Sequence, residues 1–398
     1  MKKIMVLGAG VYQVPLIEQV NKMGYKSLVV SVRGSYPGFD IAHKSYFIDT
    51  RDSSSILEIA KKECIDGVCT TGTDVAIKTL GIICDELGLT GISKYSAEMA
   101  SFKTKMKQMF KRYNVRTADY KIIDINTPLE KVALICKELF FPVLFKVEDS
   151  SGSRGVIKVS NEEEINDALN IVLLNTKSNE FIIEKYIEGV EFGAQGFVVD
   201  GELIMYLPHG DYMFEDNNTS VPIGHYIPYD LNNEIYHDSK EQTIKAIKAC
   251  NIDNCAINMD FILRENKVYV IELACRGGGT CLPELISAYY NRNYYKDIVN
   301  LAVGKKEFDF KAYLQYPVIA NLITSNVSGI INSYELPNIN LNHKISLDYK
   351  VGDFVNKFRV GSDRIGEIIL IGNKQYDSID KLYEYKEDVT KKIRINVT

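Results

Sequence analysis

Up to residue 87 the chain alternates short apolar runs with amphipathic stretches, and this rhythm constrains the fold more than any other feature. Residues 4–7 are apolar and lead into Gly8-Ala9-Gly10. Val14, Ile17, Val20 and Met23 then recur at helical spacing until Gly24 stops the pattern. Further strands are expected at 27–32, 46–48 and 67–70, and helices at 56–62 and 75–87. Short apolar strands that alternate with one-faced helices form a parallel sheet covered on both sides.

The Gly8-Ala9-Gly10 turn invites a dinucleotide reading. The fingerprint asks for a third glycine where this chain has Gln13, and no acidic ribose partner follows at a strand end. The turn is therefore expected to pack or to touch substrate. An NAD-dependent enzyme is kept as the rival from another class.

The 398 residues suffice for two or three domains. With 47 Lys and Arg against 52 Asp and Glu, the net charge of −5 gives no basic footprint for nucleic acid. No apolar run is long enough to span a membrane. Lys2 and Lys3 precede an apolar run, but Tyr12, Gln13 and Glu18 follow it without a cleavage pattern, so a buried first strand and a cytoplasmic protein are expected. The eight cysteines show no CxxC spacing and the five histidines no HxxxH, which points to core residues rather than disulfides or zinc.

Further along, a lysine-rich helix is expected at 98–112, with Lys105, Lys107, Lys111 and Arg112 as a solvated face and Lys103 set apart. A helix at 162–173, capped by Ser160 or Asn161, and a hairpin 193–199/203–207 across Asp200-Gly201 follow. Residues 208–235 read as a long polar and aromatic loop in which His225 has a structural role, and its 208–228 stretch and the 150–155 loop are candidate lids. The runs at 318–323, 328–331 and 366–372 suggest a small third domain.

Four segments carry chemistry. In PVLFKVEDSSGSRGV (142–156), Lys146 lies in an apolar strand and needs an anion or an exit to water. The Gly/Ser loop after it can turn successive N–H groups toward an anion. In FIIEKYIEGVE (181–191), a strand runs into a hinge bearing Glu184 and Glu191. In NMDFIL and VYVIELACR, a hairpin carries Asp260 and Glu272. Register decides whether they cooperate. A two-residue loop at 265–266 sets Asp260 opposite residue 271, with the acids on opposite faces. A three-residue loop sets it opposite Glu272, with Asn258, Asp260, Glu272 and Ala274 on one face and Met259, Phe261, Leu263, Tyr269, Ile271 and Leu273 on the other. Paired carboxylates repel unless a cation lies between them, and hard oxygens suit Mg²⁺. Lastly, Arg276 precedes Gly277-Gly278-Gly279, a turn that lets a ligand approach the backbone.

In this order the segments resemble the ATP-grasp superfamily of carboxylate–amine ligases, over about residues 1–305, in its amino-acid-ligase and carbamoyl-phosphate-synthase-like branch. FRVGSDRIGEIILIG (358–372) is similar to the C-terminal segment of several such ligases. The resemblance implies an α/β and α+β fold. A Rossmann-like domain would span 1–95 and an ATP-grasp domain 96–305, its two α+β subdomains clamping ATP, with 115–187 as the small lid. A β-rich C-terminal subdomain would span 306–398. The cofactors implied are ATP and Mg²⁺ or Mn²⁺. The partners implied are a small carboxylate and an amine, with no nucleic acid or membrane and a homodimer as the common assembly.

By the same resemblance, Lys103 and Lys146 would contact ATP phosphates. Ser151, Gly152, Ser153 and Gly155 would cover the β- and γ-phosphates. Glu184, Lys185 and Ile187 would sit at the adenine, the last two through backbone atoms, and Glu191 at the ribose. Asp260 and Glu272 would bind the metal, and Arg276 would stabilise an acyl-phosphate. The family often has Asn where this chain has Ala274; Asn258, across from it in the three-residue register, could supply the amide oxygen. No nucleophilic Ser or Cys is required, and Cys275 is expected to face the core. An amino-acid ligase is the leading subtype. Purine-biosynthesis and carbamoyl-phosphate-type ligases follow, and the Ala274 departure keeps a non-catalytic nucleotide sensor in play.

Overall fold

The computed structural model describes residues 1–148, 155–216, 219–311 and 316–398. Ser151, Gly152 and Ser153 lie outside the described residues. Strands β1 (Lys3–Leu7), β2 (Lys26–Ser31), β3 (Lys44–Phe47) and β4 (Gly67–Cys69) pair in parallel, in the order β3-β2-β1-β4. Their apolar side chains are buried between helix Val14–Lys22 on one face and helices Ser53–Glu63 and Ile77–Leu87 on the other. Gln13 gives the glycine turn its character. Its side-chain oxygen accepts from Gly10 N–H at 3.0 Å and its nitrogen donates to Thr71 O at 2.5 Å. A Cβ on Gly8 would fall 2.9 Å from that side chain, so the amide fills the space over the turn.

The next unit is a four-stranded antiparallel sheet. Strands β5 (Tyr120–Asp124), β6 (Val143–Val147), β7 (Val156–Val159) and β8 (Glu180–Lys185) stand in the order β5-β8-β6-β7. Helices Leu129–Leu139 and Ile165–Asn175 close its core over Phe145, Phe181 and Ile183. Asn161, one of the two expected caps, accepts from the N–H groups of Glu163 and Glu164 at 3.0 and 3.3 Å.

The largest sheet has eight strands. They are β9 (Val190–Val199), β10 (Glu202–Asp216), β11 (Thr219–Ile227), β12 (Cys255–Arg264), β13 (Lys267–Ala274) and β14 (Val318–Ile323), with two from the chain's end. A three-stranded sheet takes β15 (Gly329–Glu335), β17 (Phe354–Val355) and β19 (Arg394–Val397), while β16 (Asn342–Leu347) and β18 (Gly366–Ile371) complete the large one. The order is β13-β12-β9-β10-β11-β14-β18-β16, so one sheet runs from the acid-bearing hairpin into the C-terminal strands. Among the described residues no helix is long and apolar enough to cross a membrane.

Two expectations need correction. The helix expected at 98–112 is two helices, Lys94–Ser101 and Lys103–Arg112, broken at an extended Phe102. The break is satisfied from afar. Glu148 accepts from Thr104 N–H at 3.0 Å and from its hydroxyl at 2.9 Å, and so caps the second helix from just beyond the end of β6. The segment 208–235 is not a loop. Residues 208–216 and 219–227 belong to β10 and β11, which pair from Gly210↔Tyr226 to Asp216↔Thr219, so these residues are part of the sheet rather than a lid. Its mixed composition reflects two covered faces. Tyr212 and Tyr226 pack toward helix Ile379–Lys392, whereas His209, Asp211 and His225 point to the other side.

Candidate active site

The hairpin β12–β13 turns through Glu265-Asn266, both with positive φ of 50° and 58°, as a tight two-residue turn requires. Arg264 therefore pairs with Lys267, and the three-residue loop is wrong. Yet Asp260 does lie opposite Glu272. A β-bulge between Asp260 and Phe261 leaves Ile271 without a partner and shifts the register by one. The bulge also turns Ile271 and Glu272 to the same pocket, which corrects the expectation that Ile271 joins the core face. Met259, Phe261 and Leu273 are buried in the core as expected, and so is Cys275.

Burial and the facing Glu272 push the Asp260 carboxyl up to about 7. A hydrogen-bond chain orients it. Gly278 N–H donates to Gln195 Oε1 at 3.0 Å, which leaves the Gln195 amide nitrogen facing Asn258 Oδ1. Asn258 Nδ2 in turn donates to Asp260 Oδ1 at 3.0 Å. Asn258 lies opposite Ala274, as the register of the acid pair requires; its oxygen is turned to Gln195 and its nitrogen to Asp260.

Glu272 and Ile271 form one wall of a pocket of about 220 Å³. Lys103, Met106 and Lys107 of helix Lys103–Arg112, Lys146 of β6 and Glu184 of β8 form the rest. Lys146 Nζ lies 2.8 Å from Glu184 Oε2 and Lys107 Nζ lies 3.1 Å from Oε1. Burial opposes ionisation of Glu184, but the two ammonium groups hold its carboxyl below the usual range. Burial pulls the Lys107 ammonium down. Three lysines against Glu184 and Glu272 leave the pocket with one excess positive charge, which suits a polyanion. Lys107, expected on a solvated face, is instead 3% exposed. Its carboxylate partner comes from β8 beneath its helix, and no local pattern carries that.

The remaining candidates fall around this pocket. The Glu184 carboxylate is taken up by the lysine pair. Lys185 N–H already donates to Asp119 O at 2.8 Å, and its ammonium lies over Phe140. Ile187 is buried, and Glu191 is exposed on β9. Gly155, with φ of 74°, accepts from Val147 N–H at 2.9 Å at the foot of the Gly/Ser segment. Arg276 has a partner not foreseen from the sequence. Its Nε and Nη2 fork onto the Asp74 carboxylate at 2.8 and 2.9 Å. Asp74 follows β4, and Gly72 beside it donates to Gly277 O at 3.3 Å. These contacts dock the first domain onto the glycine turn.

His209, Asp211 and His225 were also missed, because a segment read as a loop has no register to bring them together. His209 Nδ1 and His225 Nδ1 lie 2.9 and 2.6 Å from the same Asp211 oxygen. Among the described residues they form the group of His, Cys, Asp and Glu compact enough to suggest a metal. Gln195 lies beside this group, its amide nitrogen 3.4 Å from His209 Nε2.

Two facing carboxyls, one with its affinity for a proton raised, form a hard-oxygen pair, and this donor set fits Mg²⁺. A family model described as an ATP-grasp domain matches residues 139–284. Among solved structures, the chain is similar to phosphoribosylglycinamide synthetase from Anaerococcus prevotii, with 31% identity, a TM-score of 0.84 and full coverage of both chains. Among curated proteins, it is 24% identical over 339 residues to formate-dependent phosphoribosylglycinamide formyltransferase of Prochlorococcus marinus, covering 83% of this chain and 81% of that one. It is 26% identical over 298 residues to the carbamoyl phosphate synthase large chain of Clostridium beijerinckii, covering 70% of this chain but only 27% of that longer protein. ATP-grasp enzymes are ATP-dependent ligases that use Mg²⁺. The chain belongs to the ATP-grasp superfamily of ligases.

Proposed function

We propose that the chain joins a small carboxylic acid to an amine, with an amino acid as the leading substrate class, while ATP is split to ADP and phosphate. The observation that carries this reading is the convergence of Lys103, Lys107, Lys146 and Glu272 on one pocket, with Asp260 facing Glu272 across the hairpin. A carboxylate oxygen attacks the γ-phosphorus, the bond from that phosphorus to ADP breaks, and an acyl-phosphate forms. The amine then attacks the acyl carbon, phosphate leaves, and the amine gives up a proton. Such transfers depend on positioning and charge neutralisation more than on covalent help from the protein.

In this reading Lys103, Lys107 and Lys146 hold the phosphates, and Glu184 fixes the last two ammonium groups. Asp260 and Glu272 would hold Mg²⁺, which when bound supplies further positive charge against the phosphates. Asn258 orients Asp260. Arg276, fixed on Asp74, faces the acyl group from the glycine turn. The Gly/Ser segment with Gly155 at its foot covers the β- and γ-phosphates. Lys185 and Ile187 border the adenine, and Glu191 the ribose.

A second reading, a ligase of purine-nucleotide synthesis, is favoured by the names of the two phosphoribosylglycinamide enzymes above. One experiment serves both. ADP and phosphate release with Mg-ATP is measured against pairs of amino acids and against phosphoribosyl amines, with Glu272→Ala as control. Release that needs an amine and vanishes in the variant supports the ligase and selects the acceptor. Absence of ATP binding refutes it.

A further inference from the structure

On one face of the large sheet, directly opposed residues run across four strands as Glu272, Asp260, Gly193 and His209. Opposed side chains of an antiparallel pair share a face. Gly193 is the step without a side chain, and the His209 ring takes up that space, for a Cβ there would fall 2.6 Å from Nε2. Asp211, two residues further along β10, lies on the same face and is opposed by His225 of β11. The face that carries the acid pair therefore continues into a group of two imidazoles and a carboxylate.

The three donors converge. His209 Nδ1 and His225 Nδ1 stand 2.9 and 2.6 Å from one Asp211 oxygen, and the three atoms lie within 4.8 Å of one another. Around zinc, with bonds of about 2.0 Å, tetrahedral neighbours stand about 3.3 Å apart, so an ion enters once each nitrogen recedes from that oxygen by less than about 1 Å. Both histidine side chains are nearly closed to solvent, whereas that of Asp211 is 29% exposed, which leaves an approach along the carboxylate. Among the described residues no Lys or Arg pairs with Asp211. Burial, Glu272 and Asp211 push the Asp260 carboxyl up against the pull of Arg276 and His209, so this face is short of positive charge.

We propose that His209, Asp211 and His225 bind one divalent cation of the zinc class, separate from Mg²⁺, which clamps β10 to β11. Imidazoles with a carboxylate suit zinc and its first-row neighbours, whereas Mg²⁺ prefers all-oxygen sites. Three protein ligands leave the ion a fourth position, open on the Asp211 side, for water. His209 and Asp260 stand two strand spacings apart, about 10 Å. That is well beyond the roughly 4 Å of paired metals that share a substrate oxygen, so the ion acts on the acid pair through its charge alone. The site stands on the register of β9, β10 and β11 and does not depend on the ligase reading.

The test uses the full chain, stripped with a chelator and then given Zn²⁺ in the presence of excess Mg²⁺. Metal is counted after gel filtration, and X-ray absorption at the zinc edge reads the ligands. The expected result is one zinc per chain, held by two imidazoles and a carboxylate, with no sulfur. Failure to retain zinc overturns the proposal, and so does any other ligand set. His225→Gln should weaken zinc by more than about a hundredfold, beyond the roughly tenfold to hundredfold loss from a change outside the ligands themselves. Glu272→Ala, which breaks the oxygen pair, should retain it. Zinc that survives His225→Gln, or is lost with Glu272→Ala, overturns the assignment. The wild-type count and spectrum need no variant, so they decide the matter even if His225→Gln does not fold. Absence of ATP binding would refute the ligase reading and leave the zinc count untouched.

Discussion

The buried Lys107–Glu184–Lys146 group makes an unusual demand on stability, because it carries two ammonium groups for one carboxylate with no ligand bound. Replacing Glu184 by Gln strands both cations where side chains are 3 and 9% exposed. Removing one partner of a buried ion pair costs about 3–5 kcal/mol. Lys107→Met acts in the opposite direction. It leaves Glu184 with Lys146 as a balanced pair and removes a charge that burial already disfavours. The expected effect is within about 1 kcal/mol of neutral, or stabilising. Urea unfolding of the ligand-free chain followed by circular dichroism measures both. At a slope of about 3 kcal/mol per molar, Glu184→Gln should lower the midpoint by about 1–1.7 M, with Lys107→Met little changed. In the double variant the loss should be well below the sum, since one cation that Glu184 served is gone. ATP affinity should move against stability, falling in Lys107→Met. Equal losses in the two single variants would refute the excess-charge argument, for they would mean a simple Lys107–Glu184 pair.

Three further outcomes are expected. Asp260, raised from 3.8 to about 7, keeps a proton in the folded chain that the unfolded chain releases, so the contribution of this group to metal-free stability falls as pH rises between these values and levels off above. Mg²⁺ competes for the same oxygens, and calorimetry at pH 6 and 8 should find it bound more tightly at pH 8; equal affinities would count against the acid pair as its site. Arg276→Lys keeps the charge but loses the fork on Asp74, and kcat/KM for ADP release should fall by about tenfold to a hundredfold, as for a loss of about 1.5–3 kcal/mol; an unchanged value would rule out a positioning role for the fork. Glu148→Ala removes the cap on helix Lys103–Arg112 and should cost about 1–2 kcal/mol in thermal or urea unfolding, whereas an effect near zero would show that water replaces it.

What the sequence made legible was whatever has a period or a fixed neighbour. The parallel sheet of the first domain follows from alternating runs, and the Asp200-Gly201 turn from local chemistry. The acid pair was legible as two carboxylates in one hairpin. The device that brings them together was not, since a bulge at Ile271 has no residue signature and mimics a longer loop. The Phe102 break was hidden because its cap, Glu148, comes from the end of β6. Lys107, Asp74 and the His209–Asp211–His225 group were hidden for the same reason. Each acquires its partner from a strand or loop remote in the chain or through strand register, where local propensity says nothing.

The large sheet also has an order of assembly. Its acid-bearing strands are made early, but β11 must wait for β14, whose Val318 pairs with Ile227, and β14 for β18, whose Ile371 pairs with Val318. At ribosomal speeds of about 5–20 residues per second, the interval before β14 emerges is on the order of ten seconds. During that time β11 presents an open row of backbone donors and acceptors, the kind of edge that recruits strands from other chains. The last strands of the chain thus protect a nascent ligase from its neighbours before they shape any pocket. A chain stopped short of residue 318 should be found in aggregates or on chaperones, even though every residue of the acid hairpin has been made.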